Sequence, residues 1–238
     1  MATPAAQTSG NITNGVSPWN RRDSAQSVST LTPHDDVHFD PKLKPKSYQI
    51  KGTRSDSKIL FVDVNILDST GREPYRGDVY LEGERIRHVG EVPNKARLAA
   101  SPNVKVIQGR GRTLMSGLGD AHTHFTWNEG DLGALGTLGV EEHTLSTARS
   151  AQVYLDSGYT MCFGAASAKE RLDIVIRDAT NEGRIPGPRY LANGKEMAVP
   201  NGELVPGITA FAKGPLEMRE VIRHHIKLGV DTIKLSMS

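Results

Sequence analysis

The chain has 238 residues, the length of one or two domains, and 37% of them are hydrophobic, which excludes a protein that is disordered throughout. The 29 Lys and Arg residues against 27 Asp and Glu residues leave a net charge of +2, too balanced to predict a nucleic-acid partner. The single cysteine excludes an internal disulfide framework and a zinc site built from cysteines alone.

The sequence contains neither a membrane span nor a signal peptide. No run approaches the roughly 20 apolar residues that a bilayer requires, and the N-terminus lacks the basic and apolar regions of a secretory signal. We therefore expect a soluble, cytoplasmic protein without a membrane partner.

Composition and hydrophobic pattern divide the chain into three parts. Residues 1–57 are rich in Ser, Thr, Asn and Pro, and they predict a disordered tail or linker because they cannot bury enough apolar surface to offset the entropy of ordering. Residues 58–115 contain short β-rich segments separated by glycines, and they predict a small sheet domain.

Residues 116–238 alternate between strand and helix patterns. The predicted strands begin near residues 118, 159, 189 and 231. The predicted helices cover about 140–157, 168–182 with a capping box of Ser167 and Glu170, and a segment from Pro215 to Gly229. This α/β order predicts a parallel sheet, either half of an eight-unit barrel, which needs about 250 residues, or a small open sheet complete in itself.

The sharpest local motif is His122-Thr123-His124. Side chains two residues apart on a strand point to the same face, so the two imidazoles are placed to bind one divalent metal. Asp120 lies two residues earlier on that face and could orient a ligating histidine through a hydrogen bond without itself binding the metal.

The other candidates have plainer interpretations. Alone, Lys234 indicates a strand-end lysine that reaches solvent, and His143 indicates an exposed residue at a helix start. At least one of His224 and His225 should be a surface residue. Cys162 indicates a packed core residue rather than a nucleophile.

Four separated segments carry a resemblance to a known family. GRTLMSGLGDAHTHF, GYTMCFG, GRIPGPRYLANG and GVDTIKLSMS resemble, in order, successive strands of the amidohydrolase superfamily, in its imidazolonepropionase-like and Xaa-Pro-dipeptidase-like branch. The resemblance covers about residues 58–238, and the chain departs from the usual pattern at Ser116 and Gly119. It implies an α/β fold, the N-terminal half of a (β/α)8 TIM-type barrel beside a small β-sandwich, with four barrel strands in residues 116–238.

The resemblance also implies a metal site. His122 and His124 would bind the more buried of two zinc ions, and Lys234, carboxylated on its amine, would bridge both. The remaining ligands and the catalytic acid of the family have no position in this sequence. The implied activity is hydrolysis of a C–N bond in a small-molecule amide, cyclic amide or dipeptide-like substrate by metal-activated water.

Two alternatives stay open beside this enzyme. Residues 1–238 could be a truncated, catalytically inactive half-barrel, because two histidines and a lysine leave a zinc site incomplete. They could also form an interaction module, in which the open sheet edge pairs with a complementary half-barrel or with a second copy in a homo-oligomer.

Overall fold

The structure is a computed structural model and describes residues 56–127, 131–200 and 204–237. The predicted disordered tail therefore lies almost wholly outside the described residues. The strands are β1 (Lys58–Leu67), β2 (Tyr75–Glu82), β3 (Arg85–Gly90), β4 (Val104–Gln108), β5 (Thr113–Met115), β6 (Leu118–Thr123), β7 (Tyr159–Gly164), β8 (Arg189–Leu191), β9 (Glu196–Ala198) and β10 (Thr209–Phe211). The helices are α1 (Lys95–Ala99), α2 (Leu132–Leu135), α3 (Val140–Asp156), α4 (Leu172–Asn181) and α5 (Gly214–Leu228). None of these helices has the length and apolarity to cross a bilayer.

The β-rich segment forms a five-stranded sheet around β1. This strand pairs antiparallel with β2 and parallel with β4 and β5, and β3 extends the sheet beyond β2. Leu60, Val64 and Ile66 of β1 are buried. The register shifts between Phe61 and Val64, where Asp63 adopts a positive φ of 57° and its N–H donates to the Asp78 carboxylate at 2.9 Å. The bulge is thus held by a side chain from the neighbouring strand.

A second sheet contains the first three predicted α/β units. Strands β6, β7 and β8 are parallel neighbours in that order, with α3 and α4 between them in sequence. Phe125, Cys162 and Tyr190 are buried together in its core, and the Phe125 and Tyr190 rings stack with centroids 4.4 Å apart. The prediction that Cys162 is a packed core residue is confirmed.

The prediction of a fourth parallel strand beside β8 is wrong. The segment from residue 231 has a single bridge, between Leu235 and Met197 of β9, instead of a ladder along β8. Its first two amides, of Asp231 and Thr232, both donate to the carbonyl of Ala192, which bends the chain away from a ladder. The described parallel sheet therefore has three strands, and a half barrel is not confirmed.

The predicted capping box is also wrong. Helix α4 begins at Leu172, and the Ser167 hydroxyl donates to the Lys169 carbonyl at 2.7 Å instead of accepting from the first turn. Glu170 lies beside the exposed His224 ring, at 3.4 Å. By contrast, α5 begins beside Pro215 and ends at Gly229, as predicted.

The buried face of α3 is largely polar. His143, Thr147 and Ala151 are the buried residues, whereas Leu145 is 74% exposed. The expectation that His143 is exposed is wrong: the side chain is fully buried and its Nε2 lies 2.7 Å from the Thr126 carbonyl. A hydrogen bond to main chain far away in sequence compensates its desolvation, and no local pattern reports such a partner.

A buried ion pair joins three elements of this region. The Arg177 side chain on α4 is 1% exposed, and its guanidinium contacts the Asp231 carboxylate at 2.6 Å and the Asp178 carboxylate at 2.9 Å. It also donates to the carbonyl of Gly229, which follows α5, at 2.8 Å. Asp231 in turn accepts from the Ala192 N–H at 2.9 Å, just beyond β8. Arg177 therefore fixes the ends of α5 and β8 against α4.

Asp173 holds the chain that follows β8. Its carboxylate accepts from the N–H groups of Asn193 at 2.8 Å, Gly194 at 2.9 Å and Ile174 at 2.9 Å. The side chain is completely buried, and this burial raises the pKa of Asp173 from 3.8 to about 6, although the three N–H donors and the charge of Arg177 act in the opposite direction.

The raised pKa of Asp173 predicts a specific pH dependence of stability. The folded chain binds this proton more tightly than the unfolded chain, so the contribution of Asp173 to stability falls as pH rises from about 4 to about 6 and is constant above. Two pH units correspond to about 3 kcal/mol. Urea unfolding from pH 4 to 7 should show this change as a difference between the wild type and Asp173→Asn. The exposed control Asp156→Asn should parallel the wild type, and a parallel profile for Asp173→Asn would contradict the assignment.

Candidate functional site

The two histidines of the motif are neighbours at the carboxyl end of β6. His122 lies near the end of the strand and His124 directly follows it. Their ring centroids are 4.9 Å apart, with an angle of 64° between the ring planes. The imidazoles therefore lie together at the end of a parallel strand, the position where parallel α/β folds place their sites.

The His124 ring is held from two sides. It stacks on Trp127 with centroids 3.6 Å apart, and its Nδ1 lies 3.4 Å from the Ala166 carbonyl. Because a carbonyl only accepts, this contact places the proton on Nδ1 and leaves the electron pair on Nε2. Burial lowers the pKa of His124 to about 4, and the charges of His122 and Lys234 act in the same direction. The ring is thus neutral at pH 7, the form that binds metals.

Asp120 acts on the main chain of the motif. Its Oδ1 accepts from the His122 N–H at 2.9 Å, so it fixes the backbone that carries the ring rather than the ring itself. This contact differs from the predicted one, in which Asp120 orients an imidazole.

A groove of about 520 Å³ adjoins His124. His124, Trp127 and Tyr154 line it together with Ser146, Arg149, Ser150 and Val153 of α3. Its aromatic and guanidinium groups could contact an apolar or a carboxylate portion of a small ligand. Trp127 thus lies beside the candidate site.

Lys234 is half-buried on the segment that bridges to β9. Its carbonyl accepts from the Met197 N–H at 3.0 Å. The charge on its amine affects the ionisation of both His124 and Glu196, so Lys234 lies within electrostatic reach of the histidine pair.

Glu196 is a buried acidic residue near Lys234 that the sequence analysis did not name. It lies on β9, is 6% exposed, and is aligned with Thr209 of β10. Burial raises the pKa of Glu196, while the charges of Lys234 and His122 lower it. In the sequence, Glu196 is a single acidic residue beside the apolar Met197 and Ala198. Such a local pattern does not indicate which residues lie near it in the fold.

The two imidazoles are the type of ligand that divalent metals bind. However, the described residues supply too few ligands to complete the coordination of a metal ion. Neutral imidazole nitrogen is a common ligand of zinc and similar ions. In the described ranges, no three His, Cys, Asp or Glu side chains lie together in a way that could hold a metal ion. His122 and His124 thus account for two donors of a site that requires others.

Comparisons with known proteins identify the fold. No protein-family profile matches the sequence, and no curated protein matches it. Among solved structures, an amidohydrolase matches with a TM-score of 0.63 and 25% identity over 75% of this chain and 46% of that chain. A Xaa-Pro dipeptidase with bound methionine matches with a TM-score of 0.58 and 23% identity, over 75% and 47% of the two chains. Ochratoxinase from A. niger matches with a TM-score of 0.60 and 21% identity, over 76% and 47%. The chain therefore spans about half the length of these structures.

Proposed function

We propose that His122 and His124 are metal ligands of a hydrolase that cleaves C–N bonds. This chain shares the fold of the amidohydrolase superfamily. The superfamily predicted from four sequence segments is thus confirmed. The observation that carries the proposal is the adjacent imidazole pair at the end of β6, in which His122 is exposed and His124 is half-buried. The substrate class that we propose is a small-molecule amide, cyclic amide or dipeptide-like compound, in keeping with neighbours that include a Xaa-Pro dipeptidase and a prolidase.

The residues of the chain have separable tasks in this proposal. His122 and His124 would hold a divalent cation, with zinc the best match to imidazole donors, and Lys234 would add a further ligand. When bound, such a cation polarises the amide carbonyl and lowers the pKa of a water molecule. The stack on Trp127 and the Ala166 contact keep the His124 ring oriented, and its burial keeps it unprotonated.

Residues 1–238 by themselves are proposed to be inactive. The described residues supply two imidazoles and one lysine, fewer donors than a closed site requires. The superfamily resemblance implies a further acid that would take the proton of the attacking water, and His122, His124 and Lys234 do not supply it.

A second candidate function, an interaction module, rests on the edge of the parallel sheet. Within residues 56–127, 131–200 and 204–237, β6 pairs with β7 on one side only. Leu118 and Met161 on these two strands are 41% and 40% exposed. An unpaired parallel edge with exposed apolar side chains favours association with a complementary half-barrel or a second copy. A defined oligomer by light scattering supports this function, and a monomer counts against it.

Amine release from a panel of N-acyl amino acids and Xaa-Pro dipeptides tests the enzymatic proposal. We expect the natural polypeptide that carries this sequence to hydrolyse members of the panel with zinc, and residues 1–238 alone to show no turnover above background. His122→Ala/His124→Ala in the natural polypeptide should abolish turnover, while the exposed pair His88→Ala/His224→Ala should preserve it. Turnover retained without His122 and His124 would contradict their roles.

A further inference from the structure

We propose that the buried pair of His143 and Thr126 positions the turn that carries the stacked rings of His124 and Trp127. Both members of the pair are positioning residues, which act on His124 through Trp127 and contact neither metal nor substrate. The inference rests on the proposed function, in which His124 is a metal ligand, and it names what keeps that ligand in place.

The indole of Trp127 covers one face of the His124 ring. The ring centroids are 3.6 Å apart, and the ring planes differ by 12°. The Trp127 N–H donates to the His124 carbonyl at 3.1 Å, so the two residues begin and end one tight turn after β6. The orientation of the His124 ring therefore depends on where this turn places the indole.

Apolar packing surrounds the indole. Its Nε1 atom is buried and has no hydrogen-bond partner among the described residues. The ring packs instead against the buried cluster of Leu135, Ala168 and Ile208. Because apolar packing is non-directional, the main chain of the turn has to fix the point from which the indole projects.

Thr126, the residue before Trp127, is held from two directions. Its carbonyl accepts from Nε2 of His143 at 2.7 Å, and its hydroxyl accepts from the Ala168 N–H at 2.8 Å. Thr126 and His143 are both fully buried, so water cannot replace the bond between them unless the core opens. The two bonds tie the turn to α3 and to the segment after β7.

The His143 side chain makes this one hydrogen bond in the part of the chain that the structure describes. Because a carbonyl only accepts, Nε2 carries the proton and Nδ1 is the unprotonated nitrogen, which is buried without a partner. An apolar side chain would fill the same space without the cost of about 1–3 kcal/mol that a buried, unpaired polar atom carries. The bond to Thr126 is thus the specific contribution of an imidazole at this position.

Substitution of His143 in the full chain without metal tests the inference. A Trp19→Phe background leaves Trp127 as the single tryptophan. His143→Leu removes the donor and should shift Trp127 emission to longer wavelength, because the indole becomes exposed to water. It should also abolish the upfield ring-current shift of the His124 ring protons in ¹H–¹³C NMR, which are assigned by their absence in His124→Ala. His143→Gln keeps an N–H donor and should restore both signals.

Variants of two threonines separate this role from a general loss of stability. Thr147→Val removes a buried hydroxyl that donates to the His143 carbonyl within α3 at 2.7 Å, and it should leave both signals unchanged. Thr126→Val removes the acceptor of the Ala168 N–H and should alter both signals, whereas Thr126→Ser keeps the hydroxyl and should not. Circular dichroism establishes which variants are folded, and the Thr126 variants decide the matter if His143→Leu does not fold.

Unchanged emission and ring-proton shifts in His143→Leu and Thr126→Val would overturn the inference. So would altered signals that His143→Gln and Thr126→Ser share, since the donor and the acceptor would then be irrelevant. Zinc titration separates this failure from failure of the proposed function, and we expect His143→Leu to weaken binding about tenfold. Zinc binding that requires His122 and His124 but is unchanged in His143→Leu rejects the positioning role alone. Zinc binding indifferent to both ligands, with altered Trp127 emission, rejects the metal site and supports the positioning of the turn.

Discussion

Replacement of Arg177 by methionine is expected to destabilise the chain by about 3–5 kcal/mol, the cost of breaking a buried ion pair by removal of one partner. The Asp231 side chain is 4% exposed and would be left as an uncompensated charge. The same change removes the donor to the Gly229 carbonyl, so the connection between α4 and the end of α5 is lost as well. Urea unfolding, followed by circular dichroism, measures the effect.

Two further variants isolate the cause. Arg171→Met removes an exposed arginine at the N-cap of α4, six residues before Arg177, and should change stability by less than about 0.5 kcal/mol. Arg177→Met/Asp231→Asn removes both charges and should recover part of the lost stability, because the Asp231 charge is then no longer left without its partner. A loss below about 1 kcal/mol for Arg177→Met alone would show that the pair does not hold these elements together.

The second large effect concerns metal binding. His122→Ala/His124→Ala is expected to weaken the affinity of the chain for zinc about 100-fold or more. Mutation of residues that only hydrogen-bond to metal ligands already lowers metal affinity about 10–100-fold. Isothermal titration calorimetry of the full chain measures this affinity. The exposed histidines His88 and His224 give the matched control, and their double alanine variant should bind zinc as the wild type does.

Local geometry explains what the sequence could predict. The nearness of His122 and His124 follows from the two-residue period of a strand, which needs no information from the rest of the chain. The alternation of β6, α3, β7, α4 and β8 likewise follows from short-range hydrophobic patterns. The start of α5 beside Pro215 belongs to the same class, because proline suits the first helical turn wherever that helix packs.

Features that depend on distant partners could not be predicted in this way. His143 is buried because the Thr126 carbonyl accepts from it, and Ser167 caps no helix because its hydroxyl donates to Lys169. Lys234 lies on a bridge to β9 instead of a fourth parallel strand, since the amides before it donate to Ala192. Glu196 comes near Lys234 through that same bridge. In each case the structure depends on a contact with a residue that the local sequence pattern does not indicate.

X-ray absorption at the zinc edge, on the full chain loaded with one equivalent of zinc, tests most directly whether the two imidazoles share one cation. The account predicts scattering from two imidazole rings around the zinc and its loss in His122→Ala/His124→Ala. A spectrum without imidazole scattering, or one that the double substitution leaves unchanged, would contradict it.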